Sequence, residues 1–491
     1  MPHGPEQPTA PYLEALFGYA SRGPGRFHVP GHKGGDGAAP GLRWTLGADA
    51  LAADVPLDIH GIDAGPAPTP YERAEALAAE AHGAARTFFL TNGATQGNHA
   101  LCLALAPLGA RIVAQRNSHA SLVDGLVLSG GIPVFVAPQY DAELGMAHGV
   151  DPHDLALALA DAPDATAAFL VSPTYYGMVA DIPACARVAH DAGVPLVVDC
   201  SWGPHFGFHP DVPASPMSQG ADAVLTSTHK IVGSLTQSAM LHVSDSGRID
   251  PDAIARALRL LRSTSPSSLL LASLDAARRQ LAVHGEALLH ETLAAGREAR
   301  AKIRTSRGLD VVGPELVGRP GVFDWDPLRI VIDTRGTGRT GYEVAAALRE
   351  SYDANVELAT QATMVLLLGI AESPTALVRV AGDLDEVALR LEAAGDTLPV
   401  LPPPAVREGQ MSRSPREAFL GRSEVVAAHD AIGRISCESI AGYPPGIPAL
   451  LPGEEVTAEV VGYLHEIVAT GARLHGASDP AFASVHVLVE A

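Results

Sequence analysis

Cations are scarce in this 491-residue chain: 34 lysines and arginines stand against 55 aspartates and glutamates, and the formal net charge is −21. That balance argues against a nucleic-acid partner, because a phosphate backbone demands clustered Lys and Arg. An acidic surface chiefly keeps a protein soluble, and it also draws in cationic substrates. Cysteine is sparse too. Cys102, Cys185, Cys200 and Cys437 are scattered without CxxC or finger spacing, so neither a zinc site nor a disulfide framework is indicated. The opening residues lack the basic stretch and apolar run of a signal peptide. Apolar stretches such as Thr363 to Ala371 are far too short to cross a bilayer. A cytoplasmic soluble protein without membrane contact is expected. What is present is ordinary globular composition, 47% hydrophobic and 18% charged, with length enough for two or three domains.

To about Tyr71 the chain is rich in Gly, Pro and His and reads as an arm (1–71), with one short helix around Tyr12 to Ala20. Helical spacing follows from Glu72 to Ala84. Then β-type runs recur at Thr87–Leu90, Arg111–Gln115, Ile132–Ala137, Ala167–Ser172, Pro195–Cys200, Ala223–Thr228 and Ser238–Val243. Helical patterns separate most of them, which predicts an α/β unit (72–265) on a mostly parallel, covered sheet. The last two runs leave no room for a helix, so one of them should be antiparallel. Helices are expected at Pro251–Leu261, Ser267–His284 and Glu286–Thr305. A smaller α/β unit (266–397) is expected from strands at Leu328–Asp333, Val356–Ala359 and Thr363–Leu368 and a helix at Gly341–Ser351. A proline-rich linker, Leu398 to Ala405, opens a third unit (398–491).

The apolar run from Ala223 ends in hydroxyl residues and then His229-Lys230. A lysine at the carboxyl end of a parallel strand points into the crevice where such sheets bind ligands. Alone it would read as a solvated loop lysine. A second run, Pro195–Cys200, delivers Asp199 to the same edge. Pyridoxal 5′-phosphate (PLP) chemistry needs this pairing: a lysine to form the Schiff base, and a carboxylate to keep the pyridine nitrogen protonated. The turn Thr91-Asn92-Gly93-Ala94-Thr95 runs from strand to helix and suits a phosphate dianion, with Ser227 as a further donor. Between them His119 opens a helix after a strand, where an imidazole stacks on a ring and handles protons; the plainer alternative is a helix cap.

These segments resemble the Orn/Lys/Arg decarboxylases of the aspartate-aminotransferase fold (fold type I), in their short bacterial form. The matching stretches are Phe27–Gly35 (FHVPGHKGG), Thr87–Thr95 (TFFLTNGAT), Arg116–Ser121 (RNSHAS), Ser172–Gly177 (SPTYYG), Ser227–Val243 (STHKIVGSLTQSAMLHV) and Tyr443–Glu454 (YPPGIPALLPGE). The resemblance implies a fold type I large domain, a small α/β domain and a family C-terminal domain. It implies that Lys230 bears the Schiff base with His229 assisting. Asp199 pairs with the pyridine nitrogen, His119 stacks on the ring, and Gly93, Ala94, Thr95 and Ser227 hold the phosphate. Trp202 lies near the cofactor, while Tyr175 and Glu438 contact the substrate, Glu438 at its cationic tail. Three departures stand out. Ala120 replaces the family's usual lysine, Asp199-Cys-Ser-Trp202 replaces Asp-Glu-Ala-His, and Gly61–Ala74 differs throughout.

The activity implied is decarboxylation of a basic L-amino acid to its amine and CO₂, a reaction of polyamine biosynthesis. Arginine is favoured on chain length, with lysine or ornithine as alternatives, in a homodimer or larger homo-oligomer. Rivals on the same scaffold are an aminotransferase, for which Arg379 could clamp the α-carboxylate, and an enzyme whose carbanion reacts with oxygen. A silent regulatory relative is a third. Intact Lys230 and Asp199 argue against that one.

Overall fold

The computed structural model describes residues 4–391, 411–443, 447–469 and 473–489. The expected linker at 398–405 lies outside them. Seven strands form the central sheet: β1 (Arg86–Leu90), β2 (Arg111–Gln115), β3 (Ile132–Val136), β4 (Ala165–Val171), β5 (Leu196–Asp199), β6 (Ala223–Thr226) and β7 (Ala239–Val243), in the order β1-β7-β6-β5-β4-β2-β3. The pairs β2/β3, β2/β4, β4/β5 and β5/β6 are parallel, while β7 is antiparallel to both β6 and β1. The antiparallel strand expected from the short Thr228–Ser238 interval is therefore β7. Helices cover both faces, so the strands are apolar on both sides, as parallel sheets require.

Because β7 reverses twice, β1 runs in the direction of β6. The carboxyl ends of β1, β2, β4, β5 and β6 thus meet at one edge. Helix α1 (Pro70–His82) precedes β1, opening on a Thr69/Glu72 capping box and closing on Gly83 at φ 67°. Three helices leave the functional edge: α2 (Gly93–Leu105), α3 (Ala120–Ser129) and the single turn α4 (Thr228–Ile231). The strand expected to reach Thr228 stops at Thr226, so Lys230 stands on a helical turn and not on a strand end.

The two helices expected at Ser267–His284 and Glu286–Thr305 are one, α5 (Ser268–Ile303), 36 residues long. Gly285 lies buried inside it against Leu281 and Phe208. A helical glycine costs about 1 kcal/mol, which burial of neighbours such as Leu289 and Leu293, at roughly 1.5–3 kcal/mol each, outweighs. The first half of α5 ties down the opening segment: Asp275 accepts from the Tyr12 backbone N–H (2.9 Å), and Arg278 donates to the Gln7 and Thr9 carbonyls. Its second half packs on an antiparallel four-stranded sheet, Asp310–Val312, Arg329–Asp333, Thr363–Leu367 and Leu358–Ala359 in spatial order. The C-terminal segment has its own core around Ile440, Leu464, Phe482 and Val487, under a two-stranded and a three-stranded sheet.

Candidate active site

Five turns at the shared edge enclose a cavity of about 180 Å³. The first follows β1. Gly93 sits at φ 67° with open space around its missing Cβ, so backbone conformation alone selects glycine there. Its N–H donates to the Gln237 carbonyl (2.7 Å), and Gln237 Nε2 donates to Asn92 Oδ1 (2.9 Å). The first-turn N–H groups of α2, at Ala94 and Thr95, have no acceptor within their own helix, which makes this end an anion site.

Lys230 enters from α4, whose N-cap Ser227 is buried. Its Nζ lies 3.6 Å from the centroid of the Trp202 ring. Burial lowers the amine from 10.5 to about 8, against the opposing pull of the Asp199 and Glu357 carboxylates. His229 beside it engages the Ser238 carbonyl through Nδ1 (2.7 Å), which puts the proton on Nδ1 and leaves Nε2 open. Burial lowers the His229 pKa.

Asp199 ends β5. Its Oδ1 accepts from the Ser201 N–H (3.0 Å) and hydroxyl (2.5 Å), and its Oδ2 from Asn98 Nδ2 (3.0 Å). The other proton of that amide goes to Ser121 Oγ (3.0 Å). Ser121 Oγ then donates to His119 Nδ1 (2.9 Å), which also accepts the Ser121 N–H (3.2 Å). Two donors at Nδ1 leave the proton of the neutral ring on Nε2. His119 is therefore a helix cap and a cavity wall at once, and burial lowers its pKa while Asp199 works the other way.

The expected residues Gly93, Ala94, Thr95, His119 and Ser227 all line this cavity, as do Tyr175, Asp199, Trp202, His229 and Lys230. Tyr175 packs on Trp202 with ring centroids 5.3 Å apart. Behind Trp202 lies a group that sequence reading missed. Arg329 donates to the Trp202 carbonyl (2.8 Å) and pairs with Asp326 (3.1 Å), which also meets His205 (3.0 Å), all three fully buried. Burial works to raise the Asp326 carboxyl, but His205 and Arg329 outweigh it and hold it below the usual carboxylate range. Asn98 and Glu357 were missed as well, since no motif marks them, and Ser121, which ends the Arg116–Ser121 stretch, was given no role of its own. Arg379 is corrected: it is exposed on the outer helix Pro374–Arg390 and meets Asp383, away from the cavity.

Glu438 lies apart from the cofactor-sized cavity, in a larger cleft of about 710 Å³ between α3 and the C-terminal segment, and His119 lines both spaces. It is buried. Its Oε1 accepts from the N–H (2.8 Å) and the hydroxyl of Ser478, and its Oε2 from the His486 N–H (3.0 Å).

Comparison with known proteins gives the family of the chain. The Orn/Lys/Arg decarboxylase major domain matches residues 10–376, and the C-terminal domain of the same family matches residues 406–479. The arginine decarboxylase of Bacillus subtilis is 35% identical over 492 residues, covering 99% of both chains. The constitutive lysine decarboxylase of Escherichia coli is 24% identical, covering 92% of this chain and 76% of its own. Among solved structures, the Francisella novicida lysine decarboxylase superposes with a TM-score of 0.83 at 19% identity, over 97% of this chain and 80% of that one. Domain matches and full-length identity together place this chain in the Orn/Lys/Arg decarboxylase family, as an amino-acid decarboxylase of the fold type I architecture.

Proposed function

We propose that this chain uses PLP to decarboxylate a basic L-amino acid, with arginine favoured over lysine and ornithine. The convergence of Lys230, Asp199, His119 and the Gly93 turn on one cavity carries the reading. These residues fit the cofactor on chemical grounds. A partly neutral amine suits its aldehyde, a carboxylate its pyridine nitrogen, an imidazole its ring face, and a helix N-terminus with Ser227 its phosphate. Bound there, PLP supplies the electron sink that lets the bond from Cα to the carboxylate break.

The chain's own groups do the rest. Asp199, fixed by Ser201 and Asn98, holds negative charge toward the cavity. The Lys230 amine is the proposed acid that returns a proton to Cα, and His229 is the second candidate once its open Nε2 has taken up a proton. Trp202 and Tyr175 wall the cavity. The cationic tail is assigned to the adjoining cleft, with Glu438 as its carboxylate: three hydrogen bonds orient it and leave an oxygen lone pair to spare. Arginine leads because a relative matching nearly the whole chain is an arginine decarboxylase. A cytoplasmic homodimer or larger homo-oligomer, divided at 71/72, 265/266 and 397/398, belongs to the same proposal.

The test is to incubate purified protein with PLP and a panel of amino acids while following CO₂, amine, keto acid and peroxide together. Arginine should yield CO₂ and amine in equal amounts. Keto acid without CO₂, or peroxide formed with the product, would overturn the proposal.

A further inference from the structure

Two of the chain's motifs are left without work by the site just described: the arginine that opens Arg116–Ser121, and the stretch Tyr443–Glu454 in the C-terminal segment. They meet. Arg116 Nη2 lies 2.9 Å from Glu454 Oε2, and Nη1 donates to the Pro448 carbonyl (2.9 Å). The guanidinium also lies over the Phe135 ring, 5.3 Å from its centroid. Glu454 is locked in turn, its Oε2 accepting the Leu451 N–H (2.9 Å) and its carbonyl the Ser436 N–H (2.9 Å).

Both side chains are out of solvent, at 3% and 2% exposure. Arg116 Nε and Glu454 Oε1 are nevertheless buried without a hydrogen-bond partner among the described residues. A buried ion pair with loose ends is a poor stabiliser, and well-packed apolar residues in its place are often no worse. What such a pair does supply is direction, because a fork of N–H donors accepts a carboxylate only from certain angles. Its location says what is being directed. One residue before Arg116, Gln115 donates to Asn117 Oδ1 (2.7 Å) and accepts the Val171 N–H (3.0 Å). One and three residues after it, Asn117 and His119 line the cavity. The segment that presents His119 is thus gripped by β4 on one side and by the C-terminal segment on the other.

We infer that Glu454 is a positioning residue: through Arg116 the C-terminal domain holds His119 against the cofactor cavity. The inference rests on the proposed role of His119, and it gives the family's C-terminal domain work inside the catalytic pocket. Remote side chains that only lend stability act independently of His119, whereas a positioning residue does not.

The experiment is a double-mutant cycle read on PLP binding to apoenzyme, with thermal midpoint recorded alongside. Glu454→Gln should weaken PLP binding about tenfold in the parent, and by less than twofold in a His119→Ala background. The apolar pair Arg116→Met with Glu454→Leu should keep or raise the thermal midpoint yet bind PLP as weakly as Glu454→Gln; it also answers for the single variant if that fails to fold. Equal weakening with and without His119, or full PLP affinity in the apolar pair, would show a purely structural contact and overturn the inference. PLP binding is scored without turnover. A chain that binds PLP but releases no CO₂ therefore fails the decarboxylase reading alone.

Discussion

Asp199 and Lys230 both line the cavity, and their surroundings set different tests. Asp199 carries the only carboxylate among the described residues lining that cavity, and Asn98 and Ser201 hold it in place. Asp199→Ala removes the carboxylate proposed to pair with the cofactor nitrogen, and turnover should fall on the order of 10²–10³-fold or more. Near-normal kcat in that variant would mean a different ring partner. For Lys230, the nucleophile is the neutral amine, and its pKa is lowered to about 8 by burial. The sign is therefore fixed: below pH 8 the amine is mostly protonated, and above it mostly free. PLP uptake by apoenzyme should speed up through a midpoint near pH 8, and a profile flat from pH 7 to 9 would contradict the assignment. Both residues were legible in sequence, Asp199 because it closes an apolar run and Lys230 because it follows one through a short hydroxyl-rich stretch. Asn98 was not, and Ser121 was read only as the end of a matching stretch, since their hydrogen bond exists only once the sheet order brings α2 beside α3.

At the scale of elements, the seven strands of the central sheet were readable to within two residues at each end, as short apolar runs between turn residues, whereas Asp310–Val312 and the C-terminal strands were not read. The helix break at Gly285 was misread because propensity is local, while the packing that overrides it comes from Phe208 and the small sheet. Helix α1 shows a comparable conflict. Glu75 Oε1 accepts from the Phe89 N–H (2.8 Å) and the Tyr71 hydroxyl (2.8 Å), and burial raises its carboxyl from 4.5 to about 7. The folded chain keeps a proton that the unfolded chain releases, so this group's contribution falls as pH rises from 4.5 to about 7. Glu75→Gln keeps the acceptor and cannot ionise. Its stability should match the parent near pH 4.5 and exceed it by on the order of 2 kcal/mol at pH 8. Thermal melts at the two pH values decide this, and an equal offset at both would refute it. In the cleft, Glu438→Gln should raise KM for a basic amino acid tens-fold, by loss of about 2–3 kcal/mol of charge-assisted hydrogen bonding. PLP affinity should stay unchanged. An unaltered KM would make Glu438 structural.

Over the whole molecule, buried ion pairs sit where distant segments meet: Asp275–Arg278 under the opening segment, Asp326–Arg329 behind Trp202, and Arg116–Glu454 beneath the C-terminal segment. None of these seams was visible in sequence: Asp275–Arg278 and Asp326–Arg329 are local pairs whose anchored partners, Gln7 and Trp202, lie 271 and 127 residues away, and Arg116 and Glu454 are 338 residues apart. The central claim, that Lys230 binds the cofactor, has an unusually clean test. The chain contains three lysines, Lys33, Lys230 and Lys302. Lys33 and Lys302 are exposed, while Lys230 is in the cavity. Borohydride reduction of the PLP-loaded protein, followed by peptide mapping, should place the label on Lys230 alone and abolish the visible absorption band. A label on Lys33 or Lys302, or no band after PLP is added, would contradict the account.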